Sequence, residues 1–265
     1  MRALSAQRLT PLVILLTLVP LAPLLISAFG YHWRFPGVLP EIWSLRGLEF
    51  LFERGGEVSA ALGQSLTIAL ATTLLSLLVA LPAGYALGDR HFRGPTRALA
   101  ILILLLPILV SPMASVMGIH TRFIALGLAD SLTGVILVHL IPAVPYTSLI
   151  LSAAFWHRSG EPEAAARTLG AGPWRTFFVI TLPDLVPSLA VAGFMAFLIS
   201  WGQYLLTLVV GGGLVTTLPL LLFSAASGSD PVITGAISLL FALPALVALP
   251  FVLRFVQQGP GAKKS

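Results

Sequence analysis

The sequence has no cysteine and very little charge. Without a thiol there is no disulfide framework, no thiolate metal site and no cysteine nucleophile. Asp, Glu, Lys and Arg make up only 9% of the 265 residues, against about 25% in soluble domains. So thin a charged coat cannot cover a water-facing surface. A hydrophobic content of 57% and a mean hydropathy of +0.97 fit lipid as the solvent instead. Catalytic signatures are missing too: there is no His-Glu-x-x-His pair, no Gly-x-Ser-x-Gly elbow and no carboxylate cluster in the apolar runs. The glycines Gly211–Gly213 are not followed by Gly-Lys-Ser/Thr, so they form no phosphate loop. Span interiors free of Asp, Glu, Lys and Arg also speak against a proton- or sodium-driven carrier. A stand-alone secondary carrier or channel therefore stands as the alternative reading, and an intramembrane enzyme is weaker still.

What the sequence does contain is a series of apolar runs near the ~20 residues that a helix needs to cross a bilayer. Six are present, roughly Pro11–Phe29, Ser59–Leu87, Ala98–Met117, Leu132–Trp156, Ser188–Val210 and Val232–Val256. The expected organisation is an all-α membrane protein: an N-terminal segment 1–10, a membrane domain 11–256 with a polar loop 157–187, and a tail 257–265. The first run is read as a retained span, because it is long for a leader and no small-x-small site closes it.

The formal net charge of +5 would suggest nucleic acid in a soluble protein. Here the basic residues orient spans, and no nucleic-acid partner is expected. With both termini inside, eleven of the fifteen Lys and Arg residues fall on the cytosolic side, leaving Arg34, Arg46, Arg54 and Arg122 outside. Trp33, Trp43 and Trp156 lie near predicted span ends, where amphipathic rings favour the membrane interface. Ala80, Gly84 and Gly88 recur at every fourth position of span two and predict a close helix contact.

Polar residues inside the spans are few. His139 is the one ionisable group deep in a run, and either a structural hydrogen bond or a place on a pathway accounts for it. In span five, Ser200, Gln203, Tyr204 and Thr207 fall at helical spacing on one predicted face, with Trp201 beside them. Such a stripe must face protein or water. It is either a helix–helix seam or a wall of a translocation pathway.

The polar loop is the richest segment. Pro162 suits the first turn of a helix and Glu163 the positive helix end, and the residues that follow favour helix up to Leu169. Gly170 and Gly172-Pro173 break the run, and a second short helix is expected over Trp174–Ile180, anchored by Phe177, Phe178 and Ile180.

This pattern resembles the EAA loop of permease subunits of binding-protein-dependent type I ABC importers. The family spacing is Glu-Ala-Ala, three residues, Gly, nine residues, then Ile-x-Leu-Pro. Here Ala164-Ala165-Ala166 is followed by Arg167-Thr168-Leu169 and Gly170, and Ile180, Leu182 and Pro183 fall in register. The family glutamate position holds Ala164, with Glu163 one residue earlier. The resemblance covers about residues 60–255 and includes Pro82–Leu87. It looks closest to the spermidine/putrescine, iron and thiamine branch, although span five has no acid near Gln203, which weakens polyamine as a substrate.

The resemblance implies a six-span, methionine-importer-like permease fold in a bacterial inner membrane, with both termini cytosolic. It implies separate ATP-binding subunits, a second copy of this permease or a homologous one, an extracytoplasmic solute-binding protein and membrane lipid as partners. It implies no cofactor in this chain, with ATP and Mg in the partner ATPase. ATPase coupling would fall to Glu163, Ala164, Ala165, Ala166, Arg167, Leu169, Gly170 and Trp174. The candidate substrate pathway comprises Ser200, Trp201, Gln203, Tyr204, Thr207 and His139.

Overall fold

The computed structural model describes residues 22–31, 40–89, 94–228 and 230–257, together with Val19 and Gly37. The readings made for residues 1–10, most of the run Pro11–Phe29, Trp33, Arg34, Arg90, Arg93 and the tail beyond 257 lie outside these. The described chain is helical apart from one short strand pair, and it divides into two compact units, Met1–Leu62 with Thr217–Pro244 and Gly63–Thr216 with Ala245–Ser265.

In the first unit, α1 (Ala22–Phe29) runs into β1 (Gly30–Tyr31), which pairs antiparallel with β2 (Ile42–Trp43). Helix α2 (Arg46–Glu53) then packs on α1. Only glycine fits at position 47, where an added Cβ would lie 2.9 Å from the Ala28 carbonyl oxygen. Asp230 begins α12 (Pro231–Gln257) as its cap: Oδ1 accepts from the Val232 amide at 3.0 Å, while Oδ2 pairs with Arg46 at 2.9 Å. An apolar helix, α11 (Leu218–Ser227), lies between the runs expected as spans five and six.

The second unit holds most of α3 (Gly55–Gly88), then α4 (Pro95–Leu109), α5 (Pro112–Ala125) and α6 (Leu132–His157). Continuing, α7 (Glu161–Thr168) and α8 (Pro173–Thr176) precede a π-turn (Phe177–Thr181), α9 (Leu182–Trp201) and α10 (Leu205–Gly211). Helix α6 is the hub and packs against α4, α9 and α10. Ile68, Val116, Val135, Val138, Leu206 and Val210 form one buried cluster, and Ala80, Leu151 and Ala192 another. The small-residue series of α3 works as expected. Ala80 is fully buried, and a Cβ on Gly84 would come 2.7 Å from that of Leu151.

Among the described residues, four helices are long and apolar enough to cross a membrane: Gly55–Gly88, Leu132–His157, Pro173–Trp201 and Pro231–Phe255. The expected span over Ala98–Met117 is not one helix. Helices α4 and α5 meet at 93°, because Pro112 disfavours helical geometry at Ser111, which takes φ −54° and ψ 128°. As one broken span they would make a fifth crossing.

The expected span Ser188–Val210 also needs two corrections. At its far end the helix stops at Trp201, and α10 begins only at Leu205. At its near end the second short loop helix is not separate, since α8 runs through the π-turn into α9. Pro183 has no N–H to give to the carbonyl four residues back, and the wider turn accommodates this, with the Leu182 amide reaching Phe177 O five residues back.

Candidate functional site

The loop helix α7 is built by local rules. Gly160 enters it with φ +72°, Pro162 occupies the first turn, and Glu161 and Glu163 lie at the positive helix end. It ends in a Schellman motif: the Gly170 amide bonds the Arg167 carbonyl at 3.0 Å and the Ala171 amide the Ala166 carbonyl at 2.9 Å. Gly170 takes φ +82°, and a Cβ there would meet open space. Backbone angle, not crowding, therefore selects glycine at this position.

The helix has two faces. Glu163 and Ala166 turn inward, whereas Ala164, Ala165, Arg167, Thr168 and Leu169 face out. Leu169 is 88% exposed and Trp174, just past the turn, 76%. Trp174 stacks on Phe178 with ring centroids 6.2 Å apart, and Phe178 is itself exposed. The expectation that Phe178 anchors the loop is therefore corrected; Thr176 and Thr181 are the buried side chains here.

Beneath the helix lies an ion cluster. Arg158, the residue just after α6, donates from Nε to Asp184 Oδ2 at 2.6 Å and from Nη2 to Glu163 Oε1. Thr181 Oγ1 donates to the same Glu163 oxygen at 3.0 Å. Glu163 thus bonds within its own chain. Arg158, Glu163, Arg167 and Tyr85 help to line an open cleft of about 570 Å³ at this end of the unit. Sequence reasoning missed Arg158, Thr181 and Asp184. A basic residue after a span is the ordinary orientation signal, and nothing in the linear order ties it to a carboxylate 26 positions later.

The other candidates gather elsewhere in the same unit. His139 Nδ1 lies 2.9 Å from Ser200 Oγ, and Nε2 lies 3.0 Å from Thr207 Oγ1. Thr207 also gives its proton to the Gln203 carbonyl at 3.0 Å. That assigns the Nε2–H tautomer, with Nε2 donating to Thr207 and Ser200 donating to Nδ1. His139, Ser200, Trp201 and Thr207 are all buried, and Trp201 stacks on Phe197 at 5.5 Å. Gln203 and Tyr204 are half-buried and lie in the break between α9 and α10. The single helical face expected for the four polar residues therefore does not exist. Periodicity carried across Gly202 failed because the helix ends there.

Residues 73–259 match the family described as the binding-protein-dependent transport system inner membrane component. The chain belongs to this family. It is accordingly a permease subunit of an ABC importer and a transport protein, not an enzyme; ATP hydrolysis lies in a partner subunit. Among its relatives are the putative ABC transporter permease protein ORF1 of Streptomyces antibioticus, 31% identical over 74% of this chain and 86% of that protein. The putrescine transport system permease protein PotI of Escherichia coli K12 is 29% identical over 77% of this chain and 75% of its own length. In fold, the chain is similar to a bacterial ABC transporter that imports the acidic polysaccharide alginate, with a TM-score of 0.71, 19% identity and 93% coverage of each chain.

Proposed function

We propose that this permease docks an ATP-binding subunit through the outer face of α7 and the turn that follows it. The observation that carries this reading is the two-faced helix. Leu169 and Trp174 are large, apolar and open, although they sit in a polar loop where water would otherwise surround them. Ala164 and Ala165 beside them leave room for a partner to approach closely. ATP and Mg belong in that partner, whose closure would move α7 and, with it, α6 and α9.

The loop lies in the cytosol in this reading. Arg97, Arg158, Arg167 and Arg175 lie on or next to the segments at this end of the second unit, the basic bias expected of a cytosolic face. Arg97 also donates to the last turn of α3 at Leu87 O, 3.0 Å away, and lies over the Trp156 ring. Six spans with both termini inside follow if the first apolar run, roughly Pro11–Phe29, crosses the membrane and α4–α5 counts as one broken span. A second permease copy or a homologue would complete the pore, and a solute-binding protein would deliver substrate outside.

His139, Ser200 and Thr207 serve as a seam holding the broken span five. Among the candidate pathway residues, we assign contact with a solute to Gln203 and Tyr204, a reading supported by their half-buried position in the break between α9 and α10. The docking reading is tested by Leu169→Asp in the complete transporter. We expect the ATPase to be lost on co-purification and uptake to fall with it. An intact, fully coupled complex carrying that charge would refute the docking face.

A further inference from the structure

We infer that Arg158 is the positioning residue of the coupling loop, a clamp that fixes α7 to both α6 and α9. The inference rests on the docking reading above. Arg158 immediately follows α6, Glu163 belongs to α7 and Asp184 to the first turn of α9. One guanidinium therefore ties three elements together, two of them membrane-crossing. Its side chain is only 15% exposed and that of Glu163 16%, so solvent screens this pair much less than a surface pair. The donor fork suits the task. Nε serves Asp184 and Nη2 serves Glu163, a division that a lysine ammonium cannot reproduce with fixed geometry.

Thr181 reinforces the junction from the π-turn by donating to the Glu163 oxygen that Arg158 also holds. The π-turn exists where Pro183 removes a helix donor, so the clamp closes over the least regular turn between loop and span. Without it, a push on α7 would be taken up at the Gly160 and Gly170 joints, both of which sit at positive φ. With it, α7, the end of α6 and the start of α9 move together. Glu163 thus transmits force inside the permease, and contact with the ATPase falls to the outward residues of α7.

The test uses the whole transporter in lipid nanodiscs with its ATPase and binding protein. Arg158→Gln, Arg158→Lys, Glu163→Gln and the double variant Arg158→Gln/Glu163→Gln are compared, with Leu169→Asp as the docking control. The readouts are ATPase co-purification and the ratio of binding-protein-stimulated to unstimulated hydrolysis. We expect Arg158→Gln and Glu163→Gln to keep the ATPase bound while the ratio falls about tenfold, and the double variant to fall no further, as for partners in one network. Arg158→Lys should recover part of the loss. A ratio within twofold of the parent in Arg158→Gln overturns the clamp, as do strictly additive losses. If Arg158→Gln does not accumulate, the milder Glu163→Gln decides: a preserved ratio overturns the clamp, and a lost ratio with the ATPase still bound supports it. Loss of the ATPase in Glu163→Gln alone would place Glu163 at the subunit contact and overturn it too. Failure of the docking reading looks different, since Leu169→Asp would then leave the ATPase bound and coupled.

Discussion

Gly170 shows what one backbone angle does in this protein. Its φ of +82° closes the Schellman motif, turns the chain towards Pro173 and leaves Leu169 at the tip of the outward face. A side chain there meets no atoms, yet an L-residue in left-handed geometry costs roughly 1–2 kcal/mol. Gly170→Leu is therefore expected to displace the turn and uncouple hydrolysis from uptake while the spans stay folded, and Gly170→Asn to retain much of the coupling. Coupled transport assays on the two variants check this, and equal behaviour of Leu and Asn would contradict it. This residue was legible in the sequence, because a glycine between a helical run and Gly-Pro leaves few other roles. Glu163 was only half legible. Its place at a helix start could be read from the chain, but its partners Arg158, Thr181 and Asp184 come from segments that only the tertiary fold brings together.

At the scale of the element, the long apolar runs were the readable part. Leu132–His157 and Gly55–Gly88 emerge close to their expected limits because length and hydropathy alone determine them. The breaks were not readable. Pro107 stays inside α4 whereas Pro112 starts a new helix, so a proline in an apolar run does not by itself say where the helix breaks. Span five likewise breaks after Trp201, where His139 of α6 reaches a hydroxyl on each side of the gap. This seam carries a prediction. His139→Leu leaves two buried hydroxyls short of a partner and is expected to cost roughly 1–2 kcal/mol, as for polar contacts between membrane helices. Thermal unfolding in detergent should show the lower midpoint, while the ratio of stimulated to unstimulated ATPase activity in surviving protein should stay near the parent value. A stable variant with altered solute selectivity would instead put His139 on the pathway.

At the scale of the whole molecule, the second unit leaves much apolar surface uncovered. Leu70, Leu74 and Leu78 of α3 and Leu99, Leu102 and Leu106 of α4 are exposed apolar side chains that water would not tolerate in such number. They suit acyl chains or a second permease. The family match over residues 73–259 explains why such a surface remains open in a single chain, since a permease works as part of an assembly. Composition alone led to the membrane, and the loop spacing led to the family. Which side chains hold the loop to the spans required the fold.

The absence of cysteine offers a direct test of the central claim, that the outer face of α7 meets the ATPase. Leu169→Cys introduces a unique thiol into this chain, which can be joined to the assembled complex with a short thiol-to-amine cross-linker. A strong cross-link between permease and ATPase is expected in inverted membrane vesicles, and none when the ATPase is omitted. A thiol at position 169 that labels freely in the intact transporter and never joins the ATPase would contradict it.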